Sequence, residues 1–256
     1  MLMLLVACGT KLPKLEKLDA DSEGAARALV ERSVASHGGM AAFDALGDIH
    51  VVMTDVWSLK AAAPKRPGEG APFDLTFNSG LRKGLMVFPN STTEWGYDSV
   101  EAWIATDGER GYKGLAAPTF DVPTYAYFLS LPFRFLDDGL HYRNMGQREY
   151  GGTTVDEVAI SFDEGLGAVQ DRYVVRFDAE TGRMVSTDFT VKEVSATAEA
   201  TSDFPDWVDV EGVLMPATMD VRMIRPFKTP MHKVTWAEHA HVRDFDRSLY
   251  EKPDAR

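Results

Sequence analysis

From residue 48 to residue 243 the chain repeats one device: apolar and polar residues alternate with a period of two through about eleven segments, most of them closed by a turn. Alternation of this kind gives strands with unlike faces, and so many in succession call for a large antiparallel sheet. Ile49, Val51, Met53, Trp57 and Leu59 open the series. It continues at 73–77, 81–88, 93–97 and 101–106, with reversals at Asn78-Ser79-Gly80, Asp98-Ser99 and Asp107-Gly108. Further strands are expected at 141–147, 153–162, 172–178, 184–192, 196–202, 213–224 and 232–243.

The alternation breaks once, at 119–136, where Tyr125, Tyr127, Phe128, Leu129, Leu131, Phe133, Phe135 and Leu136 crowd together. Asp121 and Pro123 suit a helix N-terminus, and Pro132 predicts a stop near Leu131. The helix is apolar nearly all round, so more than one face must be covered. A sheet this large coils as its strands twist, and its concave face needs apolar cover that the inserted helix can supply. Ahead of the sheet, helical spacing predicts one helix from about Asp21 to Ser36, ended by His37-Gly38-Gly39, and another over 40–46, closed by Gly47. The expected fold is mainly β, an α+β chain with a large curved antiparallel sheet, or unclosed β-barrel, of about eleven strands under a helical lid.

Cys8 is the only cysteine among 256 residues and follows Leu5-Val6-Ala7, with Gly9 after it. An apolar residue, two small residues and a cysteine form the pattern at which bacterial secretory signals are cut and the cysteine lipidated. An internal disulfide is excluded; the basic opening such a signal needs is missing after Met1, so either the true start lies upstream or Cys8 is an ordinary buried cysteine near a frayed terminus, and the lipidated reading is preferred. Residues 1–20 are accordingly taken as signal remnant, lipobox and tether, and 21–256 as a single domain. The tether, with Lys11, Pro13, Lys14, Glu16, Lys17 and Asp19, suits an extended, solvated linker. Gly9 stands where an Asp would hold a lipoprotein at the inner membrane, so the expected location is the outer membrane, with the domain facing the periplasm. The net charge of -12 argues against nucleic acid and against attachment to anionic lipid by a basic patch.

The order of elements, together with His37-Gly38-Gly39, Phe128-Leu129-Ser130-Leu131-Pro132-Phe133 leading to Asp137-Asp138-Gly139, and Phe162-Asp163-Glu164-Gly165-Leu166-Gly167, resembles the LolA/LolB-like lipoprotein-carrier superfamily, and within it a bacterial lipoprotein branch. The resemblance implies an unclosed β-barrel whose helices cover a hydrophobic cavity for acyl chains, and it brings no catalytic residue. A soluble shuttle has no anchor, so a lipidated Cys8 would align this chain with the receiving end of such a pathway.

Taking alternate positions, the residues expected to line a hydrophobic ligand are Met53, Trp57, Leu85, Val87, Trp103, Tyr125, Phe128, Phe162, Phe177, Phe189, Met219 and Trp236. The ligand would be a lipid or the acyl chain of a lipoprotein, with no cofactor, and the protein a non-enzymatic monomer. The alternative is an envelope scaffold whose core its own side chains fill. A third reading, a metal-dependent hydrolase, rests on His239 and His241, which lie two apart on a strand with His232 nearby. Lys233 and Arg243 on the same face make a divalent ion unwelcome, so no metal site is expected. Asp137-Asp138 and Asp163-Glu164 adjoin turn glycines and read as turn caps. His37 reads as a helix C-terminal residue favoured by the helix dipole.

Overall fold

Two short helices open the chain, α1 (Ala20–Ser36) and α2 (Met40–Leu46). A first meander follows: β1 (Asp48–Trp57), β2 (Phe73–Asn78), β3 (Lys83–Val87), β4 (Thr93–Tyr97), β5 (Ala102–Thr106) and β6 (Glu109–Gly111). Next come α3 (Ala116–Leu129), a 3-10 turn (Phe133–Leu136) and a second meander of β7 (Leu140–Tyr150), β8 (Thr153–Phe162), β9 (Tyr173–Asp178), β10 (Met184–Thr190) and β11 (Glu199–Asp203). The chain ends with β12 (Trp207–Val210), β13 (Val213–Pro216), β14 (Thr218–Arg225), β15 (Thr229–His241) and a 3-10 turn (Arg247–Tyr250). The computed structural model describes residues 12–13, 20–58, 60, 63–68, 71–111, 114–163, 171–192, 195 and 197–252; Cys8 lies outside them.

Among the described residues thirteen strands form one sheet in the order β6-β5-β4-β3-β2-β1-β15-β14-β11-β10-β9-β8-β7, and β12 and β13 form a separate hairpin. Neighbouring strands are antiparallel throughout, and β6 and β7 are open edges. The strands unforeseen in sequence are β6 and β12, and the run expected at 213–224 is divided. The division falls at Ala217, whose N–H donates to the Asp206 carbonyl while its carbonyl accepts from the Trp236 N–H. The chain passes there from the small hairpin into the main sheet.

Helix α3 begins at Ala116, earlier than expected, because Pro118 falls in the first turn, where a missing N–H costs nothing. It ends at Leu129, and Pro123 lies within it. It covers the concave face together with α1 and α2. Val30 and Val34 of α1, Phe43 of α2, and Val122, Phe128 and Leu129 of α3 join Met53, Phe177, Met219 and Trp236 of the sheet in one buried cluster.

The convex face has its own cover. Leu85, Trp103, Ala105 and Tyr250 are buried together, with Val87, Phe245 and Leu249 at their margin. Trp103 Nε1 donates to the Tyr250 carbonyl at 2.9 Å, and the Tyr250 hydroxyl donates to Asp48 Oδ1 at 2.9 Å. Two glycines mark the faces. A Cβ at Gly84 would lie 2.8 Å from Val122 of α3, whereas a Cβ at Gly96 would lie 2.1 Å from the Trp103 ring.

His37-Gly38-Gly39 is the seat of the β12–β13 hairpin. Gly38, at φ 109°, brings its α-carbon so close to Gly212 that a Cβ would lie 2.3 Å from the Gly212 carbonyl oxygen. The His37 carbonyl accepts from the Leu214 N–H at 2.9 Å, and its ring meets Trp207 edge-on at 4.4 Å. Burial pushes the imidazole down to about 4 despite the Ser33 carbonyl 2.8 Å from Nδ1. The expected dipole-favoured cation is therefore a neutral core residue, since loss of hydration outweighs the helix terminus.

Gly96→Ala forces the Trp103 ring to move and is expected to cost about 3 kcal/mol in urea unfolding. The pH profile of stability tests His37. Its ordinary value is 6.5 and its folded value about 4, so in that window the unfolded chain binds a proton that the folded chain refuses. Stability should fall on acidification from about pH 6 to 4 by roughly 1 kcal/mol per unit, and His37→Phe should flatten that slope.

Candidate functional site: the lid and its buried latch

Asp55 stands on the concave face of β1, in step with Ile49, Val51 and Met53, at a position where an apolar residue would be expected. Its side chain is fully buried and accepts four hydrogen bonds. Oδ2 receives Arg66 Nη1 at 2.6 Å, the Tyr125 hydroxyl at 2.7 Å and Trp57 Nε1 at 2.7 Å, and Oδ1 receives His232 Nδ1 at 2.6 Å. Arg66, from the β1–β2 connection, also donates from Nε to Asp121 Oδ2 and from Nη2 to the Tyr125 hydroxyl, both at 2.7 Å. Its guanidinium lies 5.4 Å from the Tyr125 ring centre and 5.5 Å from that of Phe73. Asp121 and Tyr125, one helical turn apart on α3, are thereby tied through Arg66 to the end of β1.

Burial alone would raise the Asp55 carboxyl, but the bond from His232 and the charge of Arg66 more than offset it and hold it well below the usual carboxylate range. For Asp121 burial wins: its carboxyl is raised although Arg66 contacts it. The Tyr125 hydroxyl, fully buried, is pushed well above its ordinary value and remains a donor.

Past the latch, α3 packs through Leu129 and a set of aromatic rings. Phe128 meets Phe189 at 5.2 Å, and Tyr127 meets Tyr173 at 6.1 Å. In the 3-10 turn after the helix, Phe133 stacks on Phe43 at 4.1 Å and Phe135 meets Tyr173 at 5.6 Å. Asp55, Tyr173 and Phe189 stand at strand termini on one end of the sheet, whereas Gly84, against Val122, lies level with the start of β1 at the other end, so α3 lies across the concave face.

Of the twelve residues expected to line a ligand, Tyr125 and Phe128 of α3 and Met53, Phe177, Phe189, Met219 and Trp236 of the sheet share the main buried core, with Phe162 packed at its margin. Leu85, Val87 and Trp103 do not. They face the opposite side, because the lid face of β3 and β5 is formed by Gly84, Met86 and Ile104. Trp57 stands at the end of β1 with its ring stacked on His232 at 4.3 Å. Two clefts, of about 410 and 170 Å³, indent the molecule, and neither is lined by α3.

The histidine pair is engaged elsewhere. His239 Nε2 lies 3.0 Å from the Pro216 carbonyl and His241 Nδ1 lies 3.1 Å from Glu211, with Glu238 between the β1 pairings of Ala237 and Ala240 as an extra residue. Among the described residues no three His, Cys, Asp or Glu side chains are grouped to hold a metal ion.

The architecture is an unclosed antiparallel barrel with helices across its concave face, and the same fold occurs in solved structures. A putative outer membrane lipoprotein-sorting protein domain from Vibrio parahaemolyticus superposes with a TM-score of 0.58 at 12% identity, covering 91% of this chain and 100% of that one. A LolA superfamily protein from Nitrosomonas europaea gives 0.57 at 8% identity, covering 90% and 99%. A DUF1329 family protein from Desulfovibrio piger gives 0.56 at 13% identity, with the same coverage. No protein-family model and no curated protein matches the sequence.

Arg66→Met leaves the Asp55 and Asp121 carboxylates buried without their cation. Urea unfolding at pH 7 should show a loss of about 3–5 kcal/mol, and amide exchange along α3 should quicken. Arg66→Lys should recover only part of this, because an ammonium cannot span three acceptors in one plane.

Proposed function

We propose that this chain is a lipid-anchored, non-enzymatic protein of the cell envelope that takes a lipid or lipoprotein acyl chain against the concave face of its sheet when α3 lifts. Cys8 is the anchor, the outer membrane its site, and the domain faces the periplasm. The observation that carries the reading is the construction of the lid. One polar latch fixes the middle of α3 at Asp121 and Tyr125, and the turn beyond it packs through Leu129 and adaptable aromatic contacts. An acyl chain entering between α3 and the sheet would exchange those contacts for its own at about 25 cal/mol per Å² of apolar surface buried. Met53, Tyr125, Phe128, Phe162, Phe177, Phe189, Met219 and Trp236 are the contacts proposed for it, with Trp57 at the rim. The names of the Vibrio and Nitrosomonas neighbours, a lipoprotein-sorting domain and a LolA superfamily protein, support a lipid ligand over other apolar ones.

The packing of Phe128 and Tyr127 against the sheet also favours a second reading, a scaffold whose core is already filled. Native mass spectrometry of the full chain carrying Cys8→Ser, purified without detergent and then subjected to lipid extraction, separates the two. The carrier reading expects a co-purifying acyl species that is lost in Phe128→Asp while the thermal unfolding transition survives. A bare mass that stays unchanged after incubation with lipids establishes the scaffold instead.

A further inference from the structure

We propose that the hairpin tip Pro226-Phe227-Lys228, between β14 and β15, is the point at which this molecule rests on an anionic lipid surface. Phe227 is 67% exposed, a large apolar ring held out into solvent at the end of two paired strands. Apolar rings flanked by basic side chains suit the membrane interface, where the ring enters the acyl boundary and the cations meet lipid phosphates.

The position of Leu12 selects this end of the sheet. Leu12 is buried on the convex face against Ala159 and Val174. Its N–H donates to Glu199 Oε1 at 3.2 Å, and its carbonyl accepts from Arg172 Nη1 at 3.2 Å. Glu199 Oε2 lies 3.3 Å from Arg225 Nε, and Arg225 is the last residue of β14, two positions before Phe227. The expected free linker over 10–21 is thus pinned at Leu12. From there only four peptide steps remain to Cys8, which covalent geometry limits to about 14 Å. The proposal rests on the anchor reading in this respect: a lipid on Cys8 brings the bilayer to the end of the sheet that carries Phe227.

Charge agrees with position, although the chain as a whole carries -12. Among the described residues flanking this end of β9, β10, β11 and β14, the cations are Arg172, Lys192, Arg225 and Lys228 and the acids are Asp171 and Glu199, with Arg225 paired to Glu199. Both acids are engaged inside the protein, Asp171 by the Thr190 hydroxyl and Glu199 by Leu12 and Arg225. The opposite end offers Val100, 83% exposed in the β4–β5 turn, where the two acids Asp98 and Glu101 flank it and share the one cation Lys252 between them. An anionic surface would repel that end.

The test uses the full chain recovered from a bacterial envelope and reconstituted in vesicles of phosphatidylethanolamine and phosphatidylglycerol. Its intact mass reports whether Cys8 carries lipid, which judges the anchor reading alone. Phe227→Cys then places the only free thiol at the tip for an environment-sensitive fluorophore; where the mass shows no lipid, Cys8→Ser is added and vesicles are supplied in excess. The expected result is a blue shift of the label at 227, reduced in a Lys228→Glu background, and none at Val100→Cys. No shift at 227, an equal shift at 100, or an equal shift at 227 on phosphatidylcholine alone overturns the proposal, whatever the mass shows.

Discussion

β6 and β7 follow one another in the chain with only α3 and its turns between them, yet they form the two opposite edges of the sheet. Laid flat, thirteen strands would hold those edges roughly 58 Å apart, while a helix of fourteen residues covers only ~21 Å. A connection made largely of helix can bridge the edges when the sheet curls beneath it. Curl and lid are thus two aspects of one requirement. The crossing segment must pass over the concave face, and that face, apolar along every strand that reaches it, must be covered by something apolar.

Apolar contact fixes the position of a helix poorly, because rings can slide over rings at little cost. The latch supplies what packing does not. Two buried carboxylates and a guanidinium must all find partners in one arrangement, and a displacement that strands any of them leaves an uncompensated charge away from water. The middle of α3, from Asp121 to Tyr125, therefore has one seat. The turn beyond it rests on Phe189 and Tyr173, contacts that fix its position less sharply.

Period-two alternation and the single aromatic interruption were enough to read the fold class, because both follow from backbone geometry. Which face of a strand is covered proved harder to read on one wing of the sheet. On β3 and β5 both faces are apolar, since Phe245, Leu249 and Tyr250 return from the far end of the chain to cover the convex side, and no local pattern announces that return. Gly84 and Gly96 carried the missing information, each marking where a neighbour approaches too closely for a side chain. The latch also left a trace that alternation alone passes over. Asp55 is a charge at an inward position and Asp121 a charge within an apolar helix, and such residues imply a buried partner. That the partner is Arg66, in an irregular connection, is a tertiary fact with no sequence periodicity behind it. His37 was misread because its burial depends on Trp207, which lies 170 positions away.

β15, the last of the described strands along the chain, stands in the middle of the sheet, paired on one side with β1 and on the other with β14. Until it is present the two meanders share no strand pairing, and the long-range closure it provides is the kind of contact that forms slowly. The wings can meet only once β15 is available. A polypeptide built this way holds two separate wings that become one surface in a single joining event, so the integrity of the concave face depends on one strand that borders neither edge.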